Sequence, residues 1–306
     1  MQSAGSIPEL IPPFLKKGDV VAITCPAKKL PGPMTDAVVL LESWGLEVVT
    51  GATLSASYHQ FAGDDELRAL DLQRFIDNDD IKAIIAARGG YGTVRMIDLV
   101  DFGHFKTYPK WIVGFSDITV LHAHLYANFN TQTIHGQMPV NIPDASKYSL
   151  ETLRRALFGE EIIYTIKSSY LNRRGSGTGK LVGGNLSLLV SVLGSVSDYQ
   201  YNGNILFVED VGEYLYSVDR MFRTLDRAGK LKNLAGLIVG GFTDLKDNDI
   251  PFGQTVPEIV MEIVKKYHYP VCFDFPAGHI VNNQSLVLGK KLRLEVTSDA
   301  VSAVYL

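Results

Sequence analysis

The sequence predicts an α/β protein in two parts, an N-terminal doubly wound parallel sheet and a C-terminal α/β domain with mixed strands. Three observations carry this reading. Short β-branched runs alternate with helical patterns through the first half, and parallel strands need crossover helices over both faces of their sheet. At 306 residues the chain is long enough for two cores. Its last stretch changes to an alternation of apolar and polar residues that suits antiparallel strands.

The first strand is Val20–Thr24, ending at Cys25-Pro26. Thr35 or Asp36 can cap a helix with Ala37, Leu40, Leu41 and Trp44 on one face, and Gly45 stands where it would end. Strand Leu46–Thr50 follows. Asp64 then opens a helix whose Leu72, Phe75 and Ile76 share a face. Strand Ile81–Ala86 leads into the turn Arg88-Gly89-Gly90-Tyr91-Gly92 and a helix over Thr93–Val100, and strand Trp111–Phe115 feeds a helix over Ile118–Asn128. Such repeated units give the first domain a flavodoxin-like pattern. Gln132–Met138, a helical Leu150–Leu157 and an extended Ile162–Ile166 form a connecting region, which ends in the glycine-rich Arg174–Asn185. Beyond it come helix Leu186–Leu193, strand Ile205–Val208, helix Val218–Arg227, strand Gly236–Val239, helix Val256–Tyr267 and strand Val271–Phe275. Ser285–Leu288, Lys291–Val296 and Val301–Tyr305 close the chain. The division is residues 1–140, a connection 141–178, and residues 179–306.

Composition excludes several classes of partner. A net charge of −4 without a Lys/Arg run leaves no electrostatic footprint for nucleic acid or an anionic membrane. Met1–Glu9 has neither the basic start nor the apolar core of a signal peptide, and no apolar stretch nears the roughly 18 residues of a membrane span. A cytoplasmic protein is expected. Cys25 and Cys272, the only 2 cysteines, lie outside any CxxC spacing and read as core residues, not as a disulfide or zinc site.

The residues with most chemical promise stand at strand ends. In Trp111-Ile-Val-Gly-Phe-Ser-Asp a strand runs directly into a helix, with Ser116 at the junction. The helix N-terminus offers unpaired N–H groups and partial positive charge suited to an acyl-transfer oxyanion. Ser and Asp are also favoured helix caps, so a purely structural role competes. The hydrolase pattern G-x-S-x-G fails, because Ile118 occupies its second glycine position. The glycines of Arg88–Gly92 permit left-handed backbone and close approach of a ligand to main-chain N–H groups; a dinucleotide loop is excluded because G-x-G-x-x-G is not met. Gly175–Lys180 suggests a phosphate loop, but Arg174 and Leu181 occupy required positions, and a flexible linker is the expectation.

A serine nucleophile needs a base, and the base an orienting carboxylate. Of 7 histidines, His122 and His124 point to different helix faces, and His59, His104 and His268 sit in polar or loop contexts. His135, beside Gly136, could line a cleft. His279 is the strongest candidate, because it follows strand Val271–Phe275 at the carboxyl edge where α/β sites are built. Glu209 and Asp210 follow Ile205–Val208 in the same way.

Together these segments resemble the serine L,D-carboxypeptidases of the S66 type, which include muropeptide tetrapeptidases and microcin C immunity proteins. The resemblance spans nearly the whole chain. It rests on Lys17-Gly18-Asp19, Phe61-Ala62-Gly63-Asp64-Asp65-Glu66-Leu67-Arg68, Arg88–Gly92, Gly114-Phe115-Ser116-Asp117, Gly183-Gly184-Asn185-Leu186-Ser187, Val208-Glu209-Asp210 and Gly278-His279. It implies Ser116 as nucleophile, His279 as general base and then acid, and Glu209 as the residue that holds the imidazole. It implies an oxyanion hole from the backbone N–H of Asp117 and of Gly90, with Arg88, Gly89 and Tyr91 as substrate contacts. The site would lie in the groove between the domains. The implied reaction is metal-independent and cofactor-free hydrolysis of the amide to the terminal D-alanine of a peptidoglycan tetrapeptide, by a homodimer. The sequence departs from the family at Ile280, at Leu286-Val287-Leu288-Gly289 and at Gln137, which bears on substrate preference.

Two other readings remain. One is an immunity-type peptidase acting on an aminoacyl-nucleotide antibiotic, for which Tyr170 would supply the stacking aromatic. The other is a non-catalytic muropeptide-binding protein, against which the complete Ser, Glu and His set argues.

Overall fold

A computed structural model describes residues 8–306; of the stretch Met1–Glu9 read above for a targeting signal, residues 1–7 lie outside the described residues. The first half contains β1 (Val20–Thr24), α1 (Thr35–Ser43), β2 (Glu47–Thr50), α2 (Asp65–Ile76), β3 (Ile81–Ala86), α3 (Thr93–Met96), α4 (Gly103–Thr107), β4 (Trp111–Gly114), α5 (Thr119–Phe129) and β5 (Thr133–His135). There follow α6 (Lys147–Phe158), β6 (Ile163–Lys167), β7 (Gly175–Asn185), α7 (Leu186–Ser191), β8 (Ile205–Val211), α8 (Leu215–Arg227), β9 (Gly236–Thr243), α9 (Val256–Val264), β10 (Val271–Cys272), β11 (Leu286–Leu288), β12 (Lys291–Val296) and β13 (Ala300–Tyr305).

The first sheet has the order β2-β1-β3-β4-β5, all parallel, with β11 added antiparallel on β5. This is the flavodoxin-like order, and its strand order reverses between β1 and β3, where α/β sheets open a crevice at their carboxyl edge. Covered on both faces, β3 and β4 are almost wholly buried, which is why β4 reads as a continuous apolar run and β3 as one broken only by the half-buried Lys82. Each fully buried Ile or Val there contributes about 1.5–3 kcal/mol. Asp64 caps α2 as expected, accepting from the Leu67 amide at 2.8 Å. The expected cap of α1 is not used: Thr35 and Asp36 lie inside the helix, and Met34 precedes it without a side-chain bond.

The second sheet has the order β10-β9-β8-β7-β12-β13-β6. Strands β7 to β10 run parallel, whereas β12, β13 and β6 pair antiparallel. The expectation of a flexible linker at Gly175–Lys180 is overturned here. Those residues pair with Lys291–Val296, and the same strand continues through Leu181–Asn185 against β8. Its glycines answer to crowding, since a Cβ on Gly177 would stand 1.8 Å from the Ala235 carbonyl oxygen and one on Gly183 would stand 1.9 Å from that of Phe207.

Two apolar clusters each draw on both sheets; in one of them Val120 and Leu125 of α5 pack with Val182 and Leu206 of the second sheet. The contact becomes polar at its edge, where the Asn185 amide donates to Thr119 Oγ1 at 3.0 Å. Cys25 and Cys272 are free and buried, and burial pushes both thiols up to about 12. Among the described residues no helix is long and apolar enough to cross a membrane.

Candidate active site

Strand β4 ends at Gly114, where a Cβ would meet Ile118 Cγ1 at 2.8 Å, and Phe115 continues extended. Ser116 then takes φ +63°, in the left-handed region. For a residue with a Cβ this costs of order 1–3 kcal/mol and persists only where the surroundings over-determine it. Here they do: the Gly114 carbonyl accepts from the Gly136 amide at 3.2 Å and from His122 Nε2 at 2.9 Å. Burial pushes the His122 imidazole down to about 4, so it stays neutral with its proton on that nitrogen. After Ser116 a single tight turn, residues 116–118, leads into α5.

The turn Arg88–Gly92 lies directly against this junction. A Cβ on Gly89 would sit 3.0 Å from Ser116 Cβ and 3.3 Å from both Ser116 Oγ and the Asp117 amide nitrogen. A side chain there would have to push Ser116 or the Asp117 amide back by a few tenths of an ångström. Gly90 follows at φ +116°, which again favours glycine. Arg88 donates to the Lys29 carbonyl at 2.9 Å, and Tyr91 is exposed beside Phe61. Asp117 is fully buried, with Oδ2 accepting from the Thr93 amide at 2.8 Å. Burial raises its carboxyl above the ordinary aspartate range, against the lowering effect of Thr93 and Arg68.

The second sheet contributes a carboxylate and an imidazole. His279 donates from Nδ1 to Glu209 Oε2 at 2.6 Å, leaving Nε2 as the proton-accepting nitrogen. Glu209 is fully buried on β8. The residue before the histidine must be small, because a Cβ on Gly278 would fall 2.7 Å from Glu209 Cβ. Burial alone would depress the His279 pKa, but the Glu209 bond and charge, with Asp210 and Asp244 behind them, outweigh it and raise the pKa above the ordinary imidazole value. Of the two acids singled out at this strand end, only Glu209 meets the histidine. Asp210 instead accepts from Asn185 Nδ2, Ser187 Oγ and the Ser187 amide at 2.9, 2.7 and 3.0 Å, which secures the start of α7.

Phe115 joins the halves, its ring standing edge-on to His279 with centroids 4.9 Å apart. Beside them opens a cavity of about 270 Å³ between the two sheets, lined by Phe115, Asn141, Asp144, Asp244, His279 and Val281 among others. Asn141, Asp144 and Asp244 were not apparent from sequence, although Asp244 directly follows β9. His135 does not line this cavity. It is fully buried between Phe115 and Phe207, where burial pushes its pKa well down. Among the described residues no group of three or more His, Cys, Asp or Glu side chains could hold a metal ion.

Comparison with known proteins gives the family of the chain. Residues 20–136 match the model of the LD-carboxypeptidase N-terminal domain, and residues 178–294 that of the C-terminal domain. A probable murein peptide carboxypeptidase of Bacillus subtilis is 32% identical over 286 residues, covering 92% of this chain and 90% of that one. The crystal structure of a muramoyltetrapeptide carboxypeptidase from Oxalobacter formigenes superposes with a TM-score of 0.85 at 28% identity, over 94% of this chain and 98% of that one. The microcin C7 self-immunity protein MccF of Escherichia coli is 25% identical over 87% of this chain and 86% of its own. With both domain models matched in order, and a relative above 30% identity along nearly its full length, the chain belongs to the S66 family of LD-carboxypeptidases.

Proposed function

We propose that this protein hydrolyses the amide between the L-centre of a peptidoglycan tetrapeptide and its terminal D-alanine, through an acyl-enzyme on Ser116. One observation carries the reading: the pair of buried Glu209 and half-buried His279, 2.6 Å apart, reaches the Ser116 turn through the contact of His279 with Phe115. His279 Nε2 takes the Ser116 proton as Oγ attacks the carbonyl carbon, and the carbonyl π pair moves onto oxygen. The amides of Asp117 and Gly90 receive that oxyanion. The imidazolium, stabilised by Glu209, gives its proton to the departing amine, and free D-alanine leaves. A water molecule deprotonated by His279 then attacks the ester and regenerates Ser116.

In this reading Arg88, Gly89 and Tyr91 border the leaving-group side, with Arg88 for the terminal carboxylate. Residues 1–140 form the nucleophile domain, 141–178 the connection and 179–306 the domain of Glu209 and His279. The protein acts as a cytoplasmic homodimer on a small peptide, with no nucleic acid or membrane partner and no metal or cofactor. Similarity to the self-immunity protein, together with Tyr170 standing 95% exposed in the connecting region, favours an aminoacyl-nucleotide as the second substrate class.

The test is D-alanine release from the free tetrapeptide L-Ala-γ-D-Glu-meso-diaminopimelate-D-Ala in chelator, with wild type, Ser116→Ala and His279→Ala side by side. Release by wild type alone is expected. A folded wild type that releases none, yet cleaves an aminoacyl sulfamoyl nucleoside, would move the assignment to the second class.

A further inference from the structure

We propose that Arg68 and Asp117 form a buried ion pair bridged by a single peptide group, and that this bridge positions the glycine turn against Ser116; the proposal rests on the hydrolytic reading above. The peptide is the one between Gly92 and Thr93. Its carbonyl accepts from Arg68 Nη1 at 2.9 Å, and its N–H donates to Asp117 Oδ2 at 2.8 Å. Both charged side chains are fully buried. The peptide dipole therefore lies along the field between them, carbonyl toward the cation and N–H toward the anion, with a charge-assisted hydrogen bond at each end.

Arg68 is itself held by several loops. It donates to the Pro26 carbonyl at 2.6 Å and the Gly63 carbonyl at 3.3 Å, pairs with Asp65, and packs on the Phe61 ring. Its approach to the turn requires a glycine, because a Cβ on Gly92 would stand 2.7 Å from Nη1.

The consequence for the site is geometric. One end of the turn is anchored by β3 in the sheet, the other by the pinned peptide, and between them Gly89 faces Ser116 and the Asp117 amide. Asp117 thus acts twice: its amide is one proposed oxyanion donor, and its carboxylate sets the far end of the loop that carries the other. Arg68 touches no reacting atom, and it is a positioning residue. Losing Arg68 leaves Asp117 buried with no cation across the peptide, whereas losing Asp117 frees the Thr93 N–H and leaves Arg68 its pairing with Asp65.

The test compares Arg68→Met, Asp117→Ala, the double variant and Asp117→Asn with wild type. D-alanine release supplies kcat and KM, labelling of Ser116 by a fluorophosphonate supplies a rate independent of the peptide, and thermal melting reports the fold. Arg68→Met and Asp117→Ala should each lower kcat about 100-fold with KM held within about threefold, and labelling should slow in parallel. Because both cut one bridge, the double variant should be no worse than the weaker single by more than about threefold. Asp117→Asn, whose amide oxygen can still accept from Thr93, should regain at least about tenfold over Asp117→Ala.

Losses that multiply in the double variant, no recovery in Asp117→Asn, or an increase in KM alone would overturn the proposal. If Arg68→Met fails to fold, the two Asp117 variants decide; if Asp117→Ala also fails, a folded Asp117→Asn that labels more than about 100-fold slower than wild type overturns it, and faster labelling supports it. A wild type that labels at Ser116 but releases no D-alanine refutes the substrate assignment, and the labelling rates still test the bridge.

Discussion

The two halves of the candidate site are built from different materials. On the first sheet it is main chain: Ser116 at φ +63°, the amide of Asp117, and a turn whose Gly89 and Gly90 carry no side chain. On the second sheet it is side chain: the Glu209 carboxylate and the His279 imidazole, 2.6 Å apart. A backbone-built half is vulnerable to an added Cβ. The half made of an ion and an imidazole tolerates no loss of its hydrogen bond, and it sets the pH dependence of the whole.

The largest effects should come where the halves meet. Ser116→Ala and His279→Ala should each lower kcat by about 10⁶-fold, and the double variant should be scarcely worse, because the two groups act as a unit. Single-turnover D-alanine release checks this, and losses that multiply would separate the halves. Next stands Glu209→Gln, with a loss on the order of 10⁴-fold, since the amide can present its N–H to Nδ1 and favour the wrong tautomer.

The same variant sharpens the contrast through pH. The working form of His279 is the neutral imidazole, and its pKa is raised, so wild-type kcat/KM should fall with acid through a midpoint above the ordinary value of about 6.5. In Glu209→Gln burial remains but the negative charge is gone, so the midpoint should move down. A midpoint that stays put would detach Glu209 from the imidazole.

The backbone half should respond to Gly89→Ala, whose Cβ would crowd Ser116 and the Asp117 amide. A loss of about 10²–10³-fold in kcat is expected, with an unchanged pH midpoint and a melting temperature close to wild type. Gly278→Ala lies on the other half and should act through Glu209. Its φ of +114° and the 2.7 Å approach to Glu209 Cβ should cost about 1–3 kcal/mol of stability, read by chemical denaturation, with the smallest effect on kcat of the series.

Much of this was legible in the residues. Apolar runs such as Ala83–Ala86 and Trp111–Val113 read as buried parallel strands, and a serine, an acid and a histidine each placed just beyond the strands read from sequence marked one edge of each sheet. The glycine-rich Arg88–Gly92 and Gly175–Lys180 look alike in sequence, and only one is a turn. In both, glycine marks close backbone approach; at Gly89 the neighbour is Ser116, at Gly177 it is the Ala235 carbonyl. What approaches is decided by residues far away in the chain, so composition could not tell a linker from a central strand. The partner of His279 was open for the same reason. Glu209 and Asp210 are adjacent, and only the pairing of β8 between β7 and β9 turns one toward the imidazole and the other toward α7.

The alternation of strands and helices, a doubly wound parallel pattern in the first half and the residue types available for acyl transfer are all legible in the sequence. Local patterning suffices for these, because burial of an apolar face and the needs of a turn are settled within a few neighbours. The tertiary structure alone decided that β7 runs through the second sheet, that Asp244 and Asp144 line the cavity, and that Arg68 and Asp117 grip opposite ends of one peptide. These depend on contacts between segments distant in sequence, whose free energies are realised only once the two sheets have packed against each other.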